Sequence, residues 1–212
     1  MSQNPPDVID QLVGTQAGSP LDQVRQHRQQ ARINAQQSYL ALFAPAEPGR
    51  FSLADRFALA TFVAGLHRQP AIADFYAAGL AEQQPAPTLS PAIGQAVTQG
   101  LTEGPYGEFP AGPHSSEDKD GLVYTVADEL RTTLGKPLAA AFDHAHVLVF
   151  HPRDARPAHL QALLDAGWST TEIVTLSQLV AFLSFQIRVV VGLRALSASP
   201  APASSNTTGV PA

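Results

Sequence analysis

The chain has 212 residues, 44% hydrophobic and only 15% charged, with a net charge of −5 and a pI near 5.7. Its 13 Lys and Arg form no run, which argues against nucleic acid as a main ligand. It has no cysteine, which excludes disulfides, thiolate metal sites and every Cys-based redox or nucleophilic mechanism.

Residues 1–18 form an N-terminal segment whose apolar patch, Val8, Ile9, Leu12 and Val13, predicts a helical turn or two. The N-terminus lacks the basic and apolar regions of a secretory signal, so a cytoplasmic protein is expected. Ser19-Pro20 opens a helix to about Phe43, and its Gln- and Arg-rich face, with Gln23, Arg25 and Arg28, is expected in solvent. APAEPGR, residues 44–50, reads as a linker. Ser52, with Asp55 three residues on, caps a helix carrying Leu53, Phe57, Phe62, Val63 and Leu66. Pro70 interrupts at HRQP, and a second helix carries Ile72, Phe75, Tyr76 and Leu80. Residues 84–90 predict a loop, and Ser90-Pro91 a short helix to about Leu101. The Gly-, Pro- and acid-rich stretch 103–121 predicts a long loop.

Val123 to Leu134 predicts a helix, and Pro137 opens another through LAAAFDHAHVLVF, although VLVF also suits a strand. Asp154 and Pro157 open a helix with Leu160, Leu163 and Leu164. Gly167 then closes it, Ser169 and Glu172 form a capping box, and Trp168 and Ile173 suit a hydrophobic staple. The helix that follows, 169–196, is apolar nearly all round, so it is expected at the centre of the fold or in an interface. Gln178, Ser184, Gln186, Arg188 and Arg194 interrupt it, which argues against a transmembrane span. One seam is small or polar: Ser177, Ala181, Ser184 and Arg188 lie three or four apart on a single face. The tail, 197–212, is small, polar and Pro-rich and is expected to be disordered. The expected class is all-α, one domain over 19–196. The low charged share, against about 25% in typical proteins, predicts that a second copy of the chain covers part of the surface.

Two stretches carry a resemblance. LLDAGWSTTEIVTLSQLVAFLSFQIRVVVGL, Leu163 to Leu193, and SLADRFALATFVAGLHRQPAIADFY, Ser52 to Tyr76, are similar to the alkylhydroperoxidase D-like, or carboxymuconolactone decarboxylase-like, family, in its peroxidase-related subgroup. The resemblance implies a helical bundle, a homo-oligomer from dimer to hexamer and, in active members, thiol-dependent peroxide reduction. In register with the family pattern, Gln69 and Ile72 stand where its two cysteines would be, Tyr76 where the histidine would be, and Phe57 where the glutamate would be. A peroxidatic step needs a thiolate and a resolving thiol. The expectation is therefore a protein without thiol peroxidase activity, serving as an oligomeric or partner-binding module. Two alternatives are an enzyme doing acid–base chemistry on a small carboxylated or lactone substrate, and a partner subunit of a cysteine-bearing peroxidase. The two stretches also suggest a degenerate repeat, with Asp55, Val63, Ala64, Leu66 and Gln69 in register with Glu172, Val180, Ala181, Leu183 and Gln186.

The candidate site residues are His67, Gln69 and Tyr76 at the kink and Arg188 on the last helix. His67 would serve as a base, Tyr76 as an acid or hydrogen-bond donor and Arg188 as an anion clamp. The plainer alternatives are that His67 ends a helix, Tyr76 is core, and Arg188 pairs with Asp55 or Asp143. Asp143, His144, His146 and His151 invite a metal reading, but residues 144 and 146 point to different faces of a helix. No metal or cofactor is expected.

Overall fold

A computed structural model describes residues 6–199. Among them are ten α-helices and no strand: α1 Val8–Val13, α2 Pro20–Gln26, α3 Gln29–Phe43, α4 Leu53–Leu66, α5 Pro70–Glu82, α6 Leu89–Gly100, α7 Asp128–Leu134, α8 Lys136–Phe150, α9 Pro157–Asp165 and α10 Thr170–Ala198. The fold is all-α. α10 runs through Ala198 and Ser199 caps it, so 197–199 are ordered; the disorder expected over 200–212 falls on residues outside those described.

The centre is α4 and not α10. α4 packs against α5, α6, α8 and α10. Nine of its fourteen residues are buried, against nine of twenty-nine on α10. An all-round apolar sequence predicts burial on every side, but α10 leaves Val174 (56% exposed), Phe185 (46%) and Leu196 (49%) uncovered. By length and composition α10 could cross a bilayer, with a mean hydropathy of 1.8. It packs instead on α1, α3, α4, α8 and α9, an arrangement compatible with a soluble protein.

Local signals place the helix ends. Ser52 accepts from the Asp55 backbone N–H at 3.1 Å, and Ser169 accepts from that of Glu172 at 3.3 Å. The Glu172 carboxylate returns the bond to the Ser169 N–H at 2.7 Å, completing the capping box. Gly167 turns the chain at φ 103°, a backbone that favours glycine, and lets the Trp168 N–H reach back to Leu163 O. Trp168 is buried edge-on against Phe51 and donates its indole N–H to Pro137 O at 2.8 Å.

Three expectations change. The helix expected over 19–43 breaks at His27 and Arg28 into α2 and α3. Arg25, expected in solvent, is 7% exposed and pairs with Asp7 (2.7 Å) and Asp10 (2.8 Å). Arg32, across the break, pairs with Asp10 and with Asp22 (3.0 Å). This network ties α1 to α2 and α3, and tertiary pairing outweighs the uninterrupted local helix signal. Residues 123–127 precede α7 as extended chain, whose alternation buries Tyr124 and Val126 and exposes Val123. Asp143 on α8 holds that segment: it accepts from the Val126 N–H at 2.7 Å and pairs with Arg131 at 2.6 Å. VLVF forms the last turn of α8 and is not a strand.

The linker 44–50 is pinned from inside. Arg56 on α4, 5% exposed, donates to the carbonyls of Leu42 (2.7 Å), Pro48 (2.9 Å) and Phe51 (2.9 Å), and at 3.5 Å to that of Ala41. Its guanidinium also lies over the Phe51 ring at 5.0 Å. Burial lowers its pKa, and the carbonyls supply acceptors that water no longer can.

Candidate functional site

The four candidate residues divide among three places. Tyr76 is fully buried on α5, among Phe43 of α3 (5.0 Å between ring centroids) and Phe57 of α4 (6.5 Å). Its hydroxyl donates to Oε1 of Gln186 on α10, also fully buried. Burial pushes the Tyr76 phenol well above its ordinary pKa. Ile72 is fully buried one turn earlier on α5. The junction is tightly closed: a Cβ on Gly79 of α5 would stand 2.3 Å from the Phe57 ring. Three of the four positions that the resemblance would match to a catalytic set, Phe57, Ile72 and Tyr76, therefore lie in the core. Gln69, the fourth, is half-buried at the N-cap of α5, where its side chain makes no capping bond.

His67 goes elsewhere. α4 ends at Leu66, and Arg68 turns the chain in the left-handed region at φ 56°, returning its N–H to Gly65 O at 2.8 Å. That turn points His67 into a groove of about 530 Å³ with Arg188 of α10. The groove runs between the end of α4, the Gly104-Pro105 loop, the last turn of α8 and the α10 seam. Its polar groups are the His67 imidazole, the Ser177 and Ser184 hydroxyls and the Arg188 guanidinium, and no acidic residue lines it. Leu148, Val149, Phe150 and Val180 form its apolar wall.

The seam spacing brings these groups together. Ser177, Ala181, Ser184 and Arg188 all face the groove, as residues three and four apart on a helix must. His67 Nε2 lies 3.4 Å from Ser184 Oγ. His144 of α8, buried behind the seam, lies 3.4 Å from Ser177 Oγ. Burial, and then the charge of Arg188, lower the His67 pKa to about 4, so its imidazole is neutral at pH 7. Arg188 donates Nη1 to Ser184 O at 2.9 Å. Neither carboxylate expected to pair with it is free to do so. Asp143 is held by Arg131, and the Asp55 carboxylate accepts from Ser52 Oγ at 2.7 Å. Among the described residues Arg188 has no ion-pair partner.

The other two histidines of the candidate metal group are held by structural bonds. His146 Nε2 meets Gly100 O at 3.0 Å. His151 meets Asp154 through Nδ1 (2.9 Å) and Leu122 O through Nε2 (3.0 Å), so both its ring nitrogens face acceptors. Among the described residues no group of three potential ligands gathers to hold a metal ion. A larger depression of about 810 Å³ lies along Gln-rich α3, but its cation, Arg32, is already held by Asp10 and Asp22. Comparison with protein-family models, curated proteins and solved structures finds no match.

Sequence reasoning grouped His67 with Arg188, and Arg188 with the serine seam, and the groove holds these together; it also placed Gln69 and Tyr76 in that pocket, and neither lines it. It missed the α8 wall and the Tyr76–Gln186 bond, because those pairings join residues far apart in sequence with no local signal.

Proposed function

We propose that this chain is a cytoplasmic helical scaffold that works by association and binding, without thiol peroxidase chemistry. One observation carries the reading: where the resemblance would put the redox centre, Phe57, Ile72 and Tyr76 make a closed core of apolar and aromatic side chains. A hydroperoxide has no path to that point and meets no thiol there. The resemblance to the alkylhydroperoxidase D-like family enters this proposal through the two quoted stretches and the all-α architecture. Self-association is supported by the uncovered apolar residues of α10, among them Val174, Phe185 and Leu196.

The purified chain is expected to show no dithiol-dependent turnover of an alkyl hydroperoxide and to sediment above its monomer mass. Turnover above the uncatalysed rate would end the proposal, and a strictly monomeric chain would remove its assembly half.

A further inference from the structure

We propose that the groove between His67 and Arg188 is a binding site for a small monocarboxylate with an apolar body. This goes beyond the scaffold reading and is independent of it, since a site for a small acid can exist on a protein with or without peroxidase activity.

Charge sets the sign of the ligand. Arg188 is a cation without a carboxylate, in a groove with no acidic lining. Its Nη1 is engaged by Ser184 O, and Nε and Nη2 remain for the paired N–H contacts a carboxylate takes up. The two seam hydroxyls and the neutral His67 ring supply further hydrogen bonds along one wall.

The rest of the lining sets the class. A phosphate dianion calls for a second cation or a nest of backbone N–H groups, and the groove offers Arg188 alone. The opposite wall, Leu148, Val149 and Phe150 with Val180 beside it, suits an aliphatic chain or an aromatic ring. A cavity near 530 Å³ lies within the roughly 300–1,000 Å³ of small-molecule sites. The ligand thus has a single carboxylate at the Arg188 end and an apolar body against α8.

The test uses the full chain and benzoate, with benzamide as an uncharged counterpart and inorganic phosphate as a second anion. Binding is followed by calorimetry and by the His67 ring proton signals. Benzoate is expected to bind saturably and to move the His67 signals. It should raise the pH at which that ring titrates, because a carboxylate offsets the field of Arg188. Benzamide and the Arg188→Gln variant should each weaken binding by about tenfold or more, the scale of a charge-assisted pair. Thermal melting of Arg188→Gln should match the parent, since the side chain is exposed. Three outcomes overturn the proposal: no saturable benzoate binding at millimolar concentration, benzoate binding unchanged in Arg188→Gln, or His67 signals that stay in place while benzoate binds. Phosphate binding more tightly than benzoate would overturn the carboxylate assignment.

Discussion

Two places along α10 show what this sequence has closed and what it has left open. At Gln186 the helix meets α3, α4 and α5 through Phe43, Phe57 and Tyr76, all buried. At Ser184 and Arg188, within a turn of that point, it lines a groove with His67 and the end of α8. The first junction is apolar apart from the Tyr76–Gln186 hydrogen bond and the Gln186 amide nitrogen, which is buried without a partner. The second has a cation and two hydroxyls facing solvent-accessible space. Proximity on a helix thus says little about shared chemistry. Side chains at 186 and 188 project in different directions, and the protein fills one side while opening the other.

The contrast is most severely tested by Tyr76→Ala. It removes a fully buried ring and strands the Gln186 carboxamide, so a loss of about 3–5 kcal/mol is expected in denaturant unfolding. A loss below about 1 kcal/mol would mean that the junction is not closed as described.

Acid gives an intermediate effect and leaves the closed junction untouched. Phe43, Phe57, Tyr76 and Gln186 offer nothing that titrates between pH 4 and 8. His67, His144 and His146 all have pKa values lowered to about 4, by burial first and by neighbouring charge second. Their folded values lie below the unfolded value near 6.5, so the unfolded chain takes up protons first. Their contribution is intact above about pH 6.5 and is lost progressively as the pH falls toward 4. Between pH 7 and pH 6 the three together should cost about 2 kcal/mol, measured as a fall in unfolding free energy. Equal stability at the two pH values would show that these rings are solvated.

The smallest effect belongs to Arg188→Gln. Stability should stay within about 0.5 kcal/mol, because the residue is exposed and unpaired, and loss is confined to anion binding. A larger loss would make Arg188 a structural residue and dissolve the contrast.

Helix ends and the all-α class were legible in the sequence because they rest on local chemistry. Ser52, Ser169 with Glu172, Gly167 and Pro70 each act within a turn of their own position. What could not be read depends on partners distant in sequence. Arg25 looked like a surface residue until Asp7 and Asp10 closed on it. Tyr124 and Val126 looked helical, but Asp143 and the α6–α8 surface draw them into extended chain. The apolarity of α10 marked it as central or interfacial, and the structure puts α4 at the centre and leaves part of α10 bare. Apolar residues all round a helix are compatible with a covered face and a bare one, and only the packing of α4 decides between them. For the site, His67 and the seam were visible as residue types, but their meeting depends on the turn at Arg68 and the wall from α8.

Arg56 gives the 44–50 connection an unusual status. Surface loops of this composition are ordinarily good places to graft a tag or to open new termini. Here the backbone oxygens of Leu42, Pro48 and Phe51 serve as the solvation shell of an enclosed cation. Cutting or lengthening the chain at that point would leave the guanidinium desolvated with its acceptors displaced. For engineering, the tolerant entry point is the exposed 110–117 stretch, and the short proline-rich crossover before α4 should be left intact.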